Sequence, residues 1–374
     1  MTVRFEYRGP SESLSRRTLL ARPVAEFHAV ALAVANRGGS AAEWVVELGP
    51  ELLFDEGGLA VIAASLENVL TAEAEFLLAP DPLALRDYYS HQPDLSIPVI
   101  ARRGAGGVRA GVTLDLPARR YPIPFPASMH GAIDVSVPTA LLMRATSAFD
   151  PLFANQIASL AAIERGVRRS PRAAIKALLG RGGSFGQRAG RAFAAIHRDA
   201  EVHPTAVVEG SVVEAGARIG AHCAVRYSWI GQCARLHDGA KVELSVVGRN
   251  TWLMHDLVLY RSVAEEDVFL IHGPYQFSLF QHRSAAFATI LMDYRPDAKP
   301  IRIATAAGRR DYSGLFLGAV YEEGSKTLGG TALAPGRVVP RDTWLAADPE
   351  SVHLLGASDL APRTPLAPRA TRGD

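Results

Sequence analysis

The sequence is poor in cysteine and in long apolar runs, and each shortage excludes a class of protein. The 374 residues include two cysteines, Cys223 and Cys233, which are too few for a disulfide framework or a zinc knuckle. The longest apolar stretch, residues 24–35, is interrupted by Glu26 and His28 and is too short to span a bilayer. The first residues lack the basic and apolar regions of a secretion signal. We therefore expect a cytoplasmic protein that does not bind a membrane.

A large excess of charge is also absent. The chain has 40 basic and 38 acidic residues, so its net charge of +2 gives no electrostatic reason to expect binding to nucleic acid. A hydrophobic content of 48% and a charged content of 21% are ordinary for a globular protein. The length is sufficient for two domains, each with its own core.

The chain does contain a repeat, in which similar residues return at every seventeenth position from Val202 onward and five successive segments align without gaps. The first column of the alignment contains Val202, Ile219, Leu236, Leu253 and Leu270, the seventh Val208, Val225, Val242 and Leu259, and the twelfth Val213, Ile230 and Val247. A further column contains Ser211, Ser228, Ser245 and Ser262. Three aliphatic positions in each repeat indicate three short strands per coil. Stacked coils then bury a continuous apolar column. The pattern predicts a parallel β-helix.

The local motifs of the repeat identify a resemblance. The opening VHPTA at 202–206 and the steps SWIG at 228–231 and SVVG at 245–248 are typical of hexapeptide-repeat proteins. The segment 202–270 resembles their left-handed β-helix. This superfamily is rich in acyltransferases and supplies the C-terminal part of many sugar-nucleotide pyrophosphorylases. The resemblance implies a left-handed coil, a homotrimer with sites between subunits, and acyl-CoA as a co-substrate, with no cofactor required.

The predicted fold class is α+β, with an α/β domain and a helical connector before an interrupted left-handed β-helix of 17-residue coils. The predicted boundaries are 1–149 for the α/β domain, 150–200 for the connector, 201–272 for the coils, 273–314 for an insertion, 315–350 for returning coils and 361–374 for a disordered tail. By analogy with the pyrophosphorylases the first domain would be nucleotidyltransferase-like. Gly38 and Gly39 are the nearest approach to a phosphate-binding loop, so a degenerate domain is expected.

Two of these segments carry further expectations. The connector helices are expected to cover the open end of the β-helix, where an exposed edge would template aggregation. The insertion is either a loop that carries function or a β-hairpin arm that packs on a neighbouring subunit.

The third column of the repeat is the strongest candidate for chemistry, because it contains Asp238, His255 and His272 on consecutive coils. Neighbouring strands are about 4.8 Å apart, and the position faces outward at a corner of the coil. Asp238 is expected to orient His255, whose free ring nitrogen then accepts a proton from the acceptor. The resemblance implies the same role, since hexapeptide acyltransferases generally use one outward histidine as the base.

Two other interpretations of this column remain open. Asp238, His255 and His272 are suitable zinc ligands by type, with His237 and His282 nearby, which would allow metal-dependent hydratase or lyase chemistry. The sequence lacks the Asn-x-Gln-Asp run of the carbonic anhydrase-like members. The other interpretation is that polar residues collect at exposed corners for solubility.

Five residues are candidates for substrate binding: Tyr275, Gln276, Arg295, Lys299 and Lys326. Tyr275 and Gln276 follow the column directly, and the three basic residues suit a phosphate or pantetheine chain. The alternatives are that the first two merely end the face of the coil and that the basic residues form exposed ion pairs. Lys326 lies in GSKTLGG, which fails the P-loop pattern because Ser325 replaces the second glycine.

Three functions are therefore considered. The leading hypothesis is acyl transfer from acyl-CoA to a small or nucleotide-linked acceptor, with His255 as general base. The second is a non-catalytic protein that binds a nucleotide or sugar, or a trimerising scaffold. The third is metal-dependent hydration or lyase chemistry at the same column.

Overall fold

The computed structural model describes the chain with gaps. The described residues are 3–11, 17–37, 44–69, 73–78, 96–103, 109–114, 116–124, 132–145, 147–168, 175, 179, 185–297, 299–305, 308–312 and 314–346. The predicted tail and the Gly38–Gly39 loop lie outside these residues, as does nearly all of the second predicted connector helix at 170–180. The four helices described in full are Val24–Ala35, Glu56–Leu66, Asp150–Arg168 and Phe185–Ala192. Among the described helices, none has the length and apolar character needed to cross a membrane.

The N-terminal part is an α/β domain built on a mixed sheet of five strands. In sheet order these strands are Val3–Tyr7, Trp44–Leu48, Ser96–Arg103, Glu73–Leu78 and Arg109–Leu114, with the two outer pairs parallel and the inner pairs antiparallel. Shorter pairs are Thr18–Leu19 with Arg22–Pro23, Leu52–Phe54 with Leu142–Arg144, and Ala118–Pro124 with Ala132–Pro138. The first two helices contribute to the core around Trp44, Phe54 and Leu59. Asp55 caps the helix Glu56–Leu66 by accepting from the Gly58 amide at 2.8 Å.

Between residues 195 and 345 the chain forms a parallel β-helix with three faces, as the repeat predicts. The first face is formed by Ala195–Ile196, Val212–Val213, Trp229–Ile230, Val246–Val247, Val263–Ala264, Leu279–Phe280, Ala319–Tyr321 and Arg337–Val339. The second face is formed by Glu201–Val202, Arg218–Ile219, Arg235–Leu236, Trp252–Leu253, Phe269–Ile271, Ala285–Phe287, Lys326–Thr327 and Trp344–Leu345. The third face is formed by Val207–Glu209, Ala224–Arg226, Lys241–Glu243, Val258–Tyr260 and Tyr275–Gln276, and further on by the pair Ile290–Leu291 and Ala332–Leu333.

The coils have three corners. The first corner joins the first face to the second and includes residues 265–267. The second corner joins the second face to the third and includes Asp238 and His255. The third corner joins the third face to the next coil and includes Arg261. The corner residues with positive φ include Cys233 and Asp267 at the first corner, Asp256 at the second and Arg261 at the third. At these residues the backbone is left-handed, and the chain turns there from one face to the next.

The register of the coils first changes after Leu270. Leu253 pairs with Leu270, 17 positions later, whereas Leu259 pairs with Tyr275, 16 positions later. The coils therefore continue through Leu291. The chain leaves the β-helix at residue 292, later than the predicted start at 273, and returns to it at Ala319. We call residues 292–318 the excursion. The returning coils are present as predicted, although Leu345 pairs with Thr327, and the amide of Leu328 donates to the Leu345 carbonyl.

The serine column forms a buried ladder of hydroxyl groups. The Ser228 amide donates to Ser211 Oγ at 3.0 Å, and Ser228 Oγ donates to the Arg226 carbonyl at 2.7 Å. The same pattern is repeated at Ser245 and Ser262. Each hydroxyl therefore satisfies a buried backbone amide at the third corner, where the strand ladder is interrupted.

The connector helices occupy two different places. The helix Phe185–Ala192 lies at the first coil, where the Gly210 amide donates to the Gly190 carbonyl at 2.7 Å, so it covers the end of the β-helix. The helix Asp150–Arg168 packs on the outside of the first face, against Val246 and Val263. Of the two helices that were expected to cover the end, the long one therefore covers a side of the β-helix, and the one at 170–180 lies almost wholly outside the described residues.

The excursion contains a β-hairpin that packs on its own chain. Ile301–Thr305 pairs antiparallel with Gly308–Tyr312. Ile303 is completely buried, and the Tyr312 ring stacks on Phe153 of the long connector helix at 6.1 Å. The hairpin form agrees with one of the two predicted alternatives, but its apolar side is buried within the chain because the connector helix offers an apolar surface there.

A buried polar network joins the N-terminal domain to the β-helix. Glu265 at the first corner pairs with Arg17 at 3.3 Å, and both residues are buried. Asn155 of the long connector helix accepts from the Leu20 amide at 2.8 Å, and Gln156 donates to the Arg261 carbonyl at 2.5 Å. The segment that begins at Arg17 is therefore held between the connector helix and the first face.

Candidate functional site

The second corner brings His255 and His272 together. Both side chains are exposed, and their rings meet edge to face with a centroid distance of 5.8 Å and an interplanar angle of 72°. The corner places them on consecutive coils, one after Leu253 and the other after Ile271. His272 itself has φ of +51°, a conformation that Asp256 has in the preceding coil, because the shortened coil moves the turn by one residue.

Asp238 lies on the coil before His255 but does not contact it. Its Oδ1 accepts a hydrogen bond from the Ala221 amide at 2.7 Å, so the carboxylate is directed toward the preceding coil. Gly220 makes this possible, because a Cβ there would lie 2.5 Å from Asp238 Oδ1. Within the described part of the chain, no hydrogen bond or ion pair joins Asp238 to His255. The predicted role of Asp238 in orienting His255 is therefore not seen in this geometry.

An open groove leads from Asp238 across the second face. Its polar lining consists of Glu201, His203, Arg218, Arg235, His237 and Asp238. Arg218 pairs with Glu201 at 3.1 Å, whereas the Arg235 guanidinium lies over the Trp252 ring at 4.5 Å and has no carboxylate partner among the described residues. The Nε2 atom of His237 is buried without a hydrogen-bond partner in the described part of the structure. The groove therefore offers the Arg235 guanidinium to a ligand.

Sequence reasoning missed the contribution of this face. The last column of the repeat contains Arg218, Arg235, Trp252 and Phe269, which is a readable signal for a basic and aromatic strip on the outside of the coil. The Trp252 ring lies 6.5 Å from that of Phe269, so the strip continues past the groove.

The predicted binding residues are not gathered at the second corner. Tyr275 is completely buried inside the coil and its hydroxyl donates to the Ile271 carbonyl at 2.7 Å, so its predicted contact with a ligand is wrong. Burial raises the pKa of this phenol. Gln276 ends the last strand of the third face, half-buried. Lys326 lies in a strand of the second face with its ammonium over the Trp344 ring at 4.7 Å.

The two predicted binding residues in the excursion are elsewhere as well. Arg295 is held by Asp297 in a two-point ion pair of 2.9 and 2.5 Å, and the exposed Lys299 donates its amide to the same carboxylate at 3.3 Å. The preceding Tyr294 packs on Phe316, which stacks on Phe277 at the third corner. These residues therefore belong to a different corner from His255.

The predicted metal ligands at the second corner do not converge either. In the described part of the chain, the group of three metal-ligand side chains whose donor atoms lie within 4.8 Å of one another is Glu266, Asp267 and His282 at the first corner. His282, which the sequence placed near Asp238, His255 and His272, is thus separated from them by the width of the second face.

Comparison with known proteins finds solved structures that resemble this chain only weakly. No family model matches the chain, and no curated protein matches it. A solved structure of a hexapeptide transferase family protein from Anaplasma phagocytophilum is 16% identical over 42% of this chain and 75% of that chain, with a TM-score of 0.19. The acetyltransferase domain of PglB from Neisseria gonorrhoeae is 18% identical over 49% of this chain and 65% of that one, with a TM-score of 0.16.

Alignments with such low TM-scores carry no argument about activity. In the first coils of the parallel β-helix the paired strands lie 17 positions apart along the chain. This is the architecture of the hexapeptide-repeat superfamily, in agreement with the resemblance seen in the sequence.

Proposed function

We propose that the protein is a hexapeptide-repeat transferase that moves an acyl group from acyl-CoA to a small or nucleotide-linked acceptor, with His255 as the general base. The observation that supports this most is the exposed pair of His255 and His272 beside a groove lined by Arg235, which has no carboxylate partner among the described residues. An imidazole on an open corner is accessible to an acceptor hydroxyl or amine and can take a proton from it.

The proposed reaction uses the pair directly. His255 takes the proton from the acceptor as the acceptor oxygen or nitrogen forms a bond to the thioester carbonyl carbon. The tetrahedral intermediate then collapses, the carbon–sulfur bond breaks, and the CoA sulfur leaves with the proton. In this proposal His272, rather than Asp238, is the positioning residue, because its ring contacts that of His255 edge to face.

The groove is proposed as the site for the anionic part of the donor. Arg235 presents a guanidinium held in place by Trp252, which suits the phosphates of acyl-CoA. We further propose the homotrimer implied by the superfamily as the assembly in which the groove is completed.

The test is steady-state release of CoA by the full-length protein, with acetyl-CoA and longer thioesters against amine, hydroxyl and nucleotide-sugar acceptors. We expect His255→Gln to lower kcat by about 100-fold or more, the usual size of a general-base contribution. Arg235→Gln is expected to raise KM for the thioester and to change kcat little. The control is His197→Gln, which changes an exposed histidine at the first corner.

Two outcomes would contradict the proposal. One is wild-type protein that releases no CoA with any acceptor, especially if a nucleotide sugar binds without turnover. The other is a His255→Gln variant that turns over at the wild-type rate.

A further inference from the structure

The first corner holds a cluster of donors from two consecutive coils that no step of acyl transfer uses. Glu266 and Asp267 come from one coil and His282 from the next. One ligand atom from each residue lies within 4.8 Å of the other two. Two carboxylates and one imidazole form a donor set suited to a divalent transition metal such as zinc.

Each donor is already held by an outer partner. Asn250 Nδ2 donates to Asp267 Oδ1 at 2.6 Å, and Arg249 Nη2 donates to Glu266 Oε2 at 3.0 Å. These contacts fix one oxygen of each carboxylate and leave the other for a ligand. Partners of this kind orient the side chains in metal sites and are part of what determines affinity.

The imidazole is fixed in the same way. His282 Nδ1 lies 3.2 Å from the Glu266 carbonyl oxygen and 3.7 Å from Asp267 Oδ2. Its backbone amide donates to the buried Glu265 at 3.2 Å, which ties this turn to the coil before it. The ring is therefore confined between the two carboxylate-bearing residues.

The same turn also contains an unsatisfied polar group. Gln281, the residue before His282, is only 4% exposed, and its Oε1 has no hydrogen-bond partner within the described part of the chain. A buried carbonyl without a donor is costly.

We propose that Glu266, Asp267 and His282 bind one Zn²⁺ ion at the first corner. Glu266 also lines a groove between this corner and the helix Val24–Ala35, so the ion would lie where the N-terminal domain meets the β-helix. The site does not depend on the proposed acyl transfer, because it is on a different corner from His255.

The test is the zinc content of the full-length protein after equilibrium dialysis against micromolar Zn²⁺ with excess Mg²⁺, measured by mass spectrometry. We expect about one equivalent per chain, as the three donors form a single site. Asp267→Asn and His282→Gln are each expected to reduce affinity at least about tenfold. Asparagine tolerates the left-handed backbone of residue 267, so the first variant should fold.

Two controls separate this site from others. His197 and Asp199 form a similar pair at the same corner, with 3.6 Å between His197 Nδ1 and Asp199 Oδ2, but without a third ligand. His197→Gln should therefore keep the zinc, and so should His255→Gln. Wild-type protein without bound zinc would overturn the proposal. Zinc that survives both Asp267→Asn and His282→Gln, or that is lost in His255→Gln, would also overturn it.

Discussion

His28 is a histidine of the N-terminal domain whose ring is buried among aromatic side chains. It is completely buried, stacks on Phe54 at 3.9 Å, and meets the Tyr7 ring edge to face at 5.1 Å. Its Nε2 accepts from the Phe54 amide at 3.4 Å, while Nδ1 has no described partner. Burial lowers the pKa of His28 from 6.5 to about 3. The folded protein therefore requires the neutral imidazole.

This residue should make the free energy of unfolding depend on pH. Between pH 6.5 and about 3 the unfolded chain binds a proton at His28 that the folded chain does not, so stability falls as the pH falls. The expected slope from this group approaches about 1.4 kcal/mol per pH unit. His28→Leu should remove that contribution, as measured by urea denaturation at pH 7.0, 6.0, 5.0 and 4.5.

The matched control for this experiment is His197→Leu, an exposed histidine at the first corner. It should keep the wild-type dependence on pH. If wild type and His28→Leu lose stability in parallel on acidification, the imidazole is not kept neutral in the fold.

At the scale of an element, the hairpin of the excursion is expected to stabilise the monomer. Ile303 is completely buried in the same core cluster as Phe149 and Leu152 of the connector. Ile303→Ala should lower the free energy of unfolding by about 2–5 kcal/mol, the usual loss for such a truncation. Denaturant unfolding of the purified protein measures this value.

The same hairpin provides its control. Arg309→Ala changes an exposed side chain of the second strand and should alter stability by no more than about 0.5 kcal/mol. A hairpin that served mainly as an arm for a neighbouring subunit would behave differently. Ile303→Ala would then leave the stability of the chain nearly unchanged and alter its oligomeric state.

The sequence alone predicted most of the β-helix, because each inward position repeats at the interval of one coil. On the third face Glu209, Arg226 and Glu243 stack with alternating charge, and Arg226 pairs with Glu209 at 3.2 Å and with Glu243 at 2.5 Å. Counting 17 residues for every coil misplaces the residues after Leu270, because one coil there is a residue shorter.

The residue types inside the later coils are a second reason why the sequence did not predict that the coils continue. In the coils after Leu270 the interior is filled by the rings of Tyr275, Phe280 and Tyr321 in place of aliphatic side chains. The Phe280 ring centroid lies 5.3 Å from that of Tyr275 and 4.8 Å from that of Tyr321. Aromatic rings can fill the same interior column, but a search for aliphatic residues does not find them. The predicted insertion therefore began too early.

The sequence predicted which residues of the candidate site are neighbours, but it did not predict which way their side chains point. Spacing fixes which residues occupy neighbouring coils, and it placed His255 beside His272 correctly. Spacing does not fix side-chain direction. Asp238 turns to the Ala221 amide because that corner amide requires an acceptor.

At the scale of the whole molecule, the β-helix organises the other parts of the chain around one face. The long connector helix and the hairpin cover the first face, and Arg17 anchors the N-terminal domain at Glu265 on the first corner. The second face and the second corner keep exposed polar residues, among them Arg218, Arg235 and His255. A substrate or a second subunit can therefore approach from that side.

The most direct test of the proposed activity is a kinetic cycle on the two histidines of the second corner. CoA release would be measured for wild type, His255→Gln, His272→Gln and the double variant under identical conditions. Residues that act as a unit lose activity non-additively, so the double variant should be no slower than His255→Gln alone, within about twofold. Independent, multiplying losses, or a His255→Gln variant with unchanged kcat, would contradict a catalytic pair at this corner.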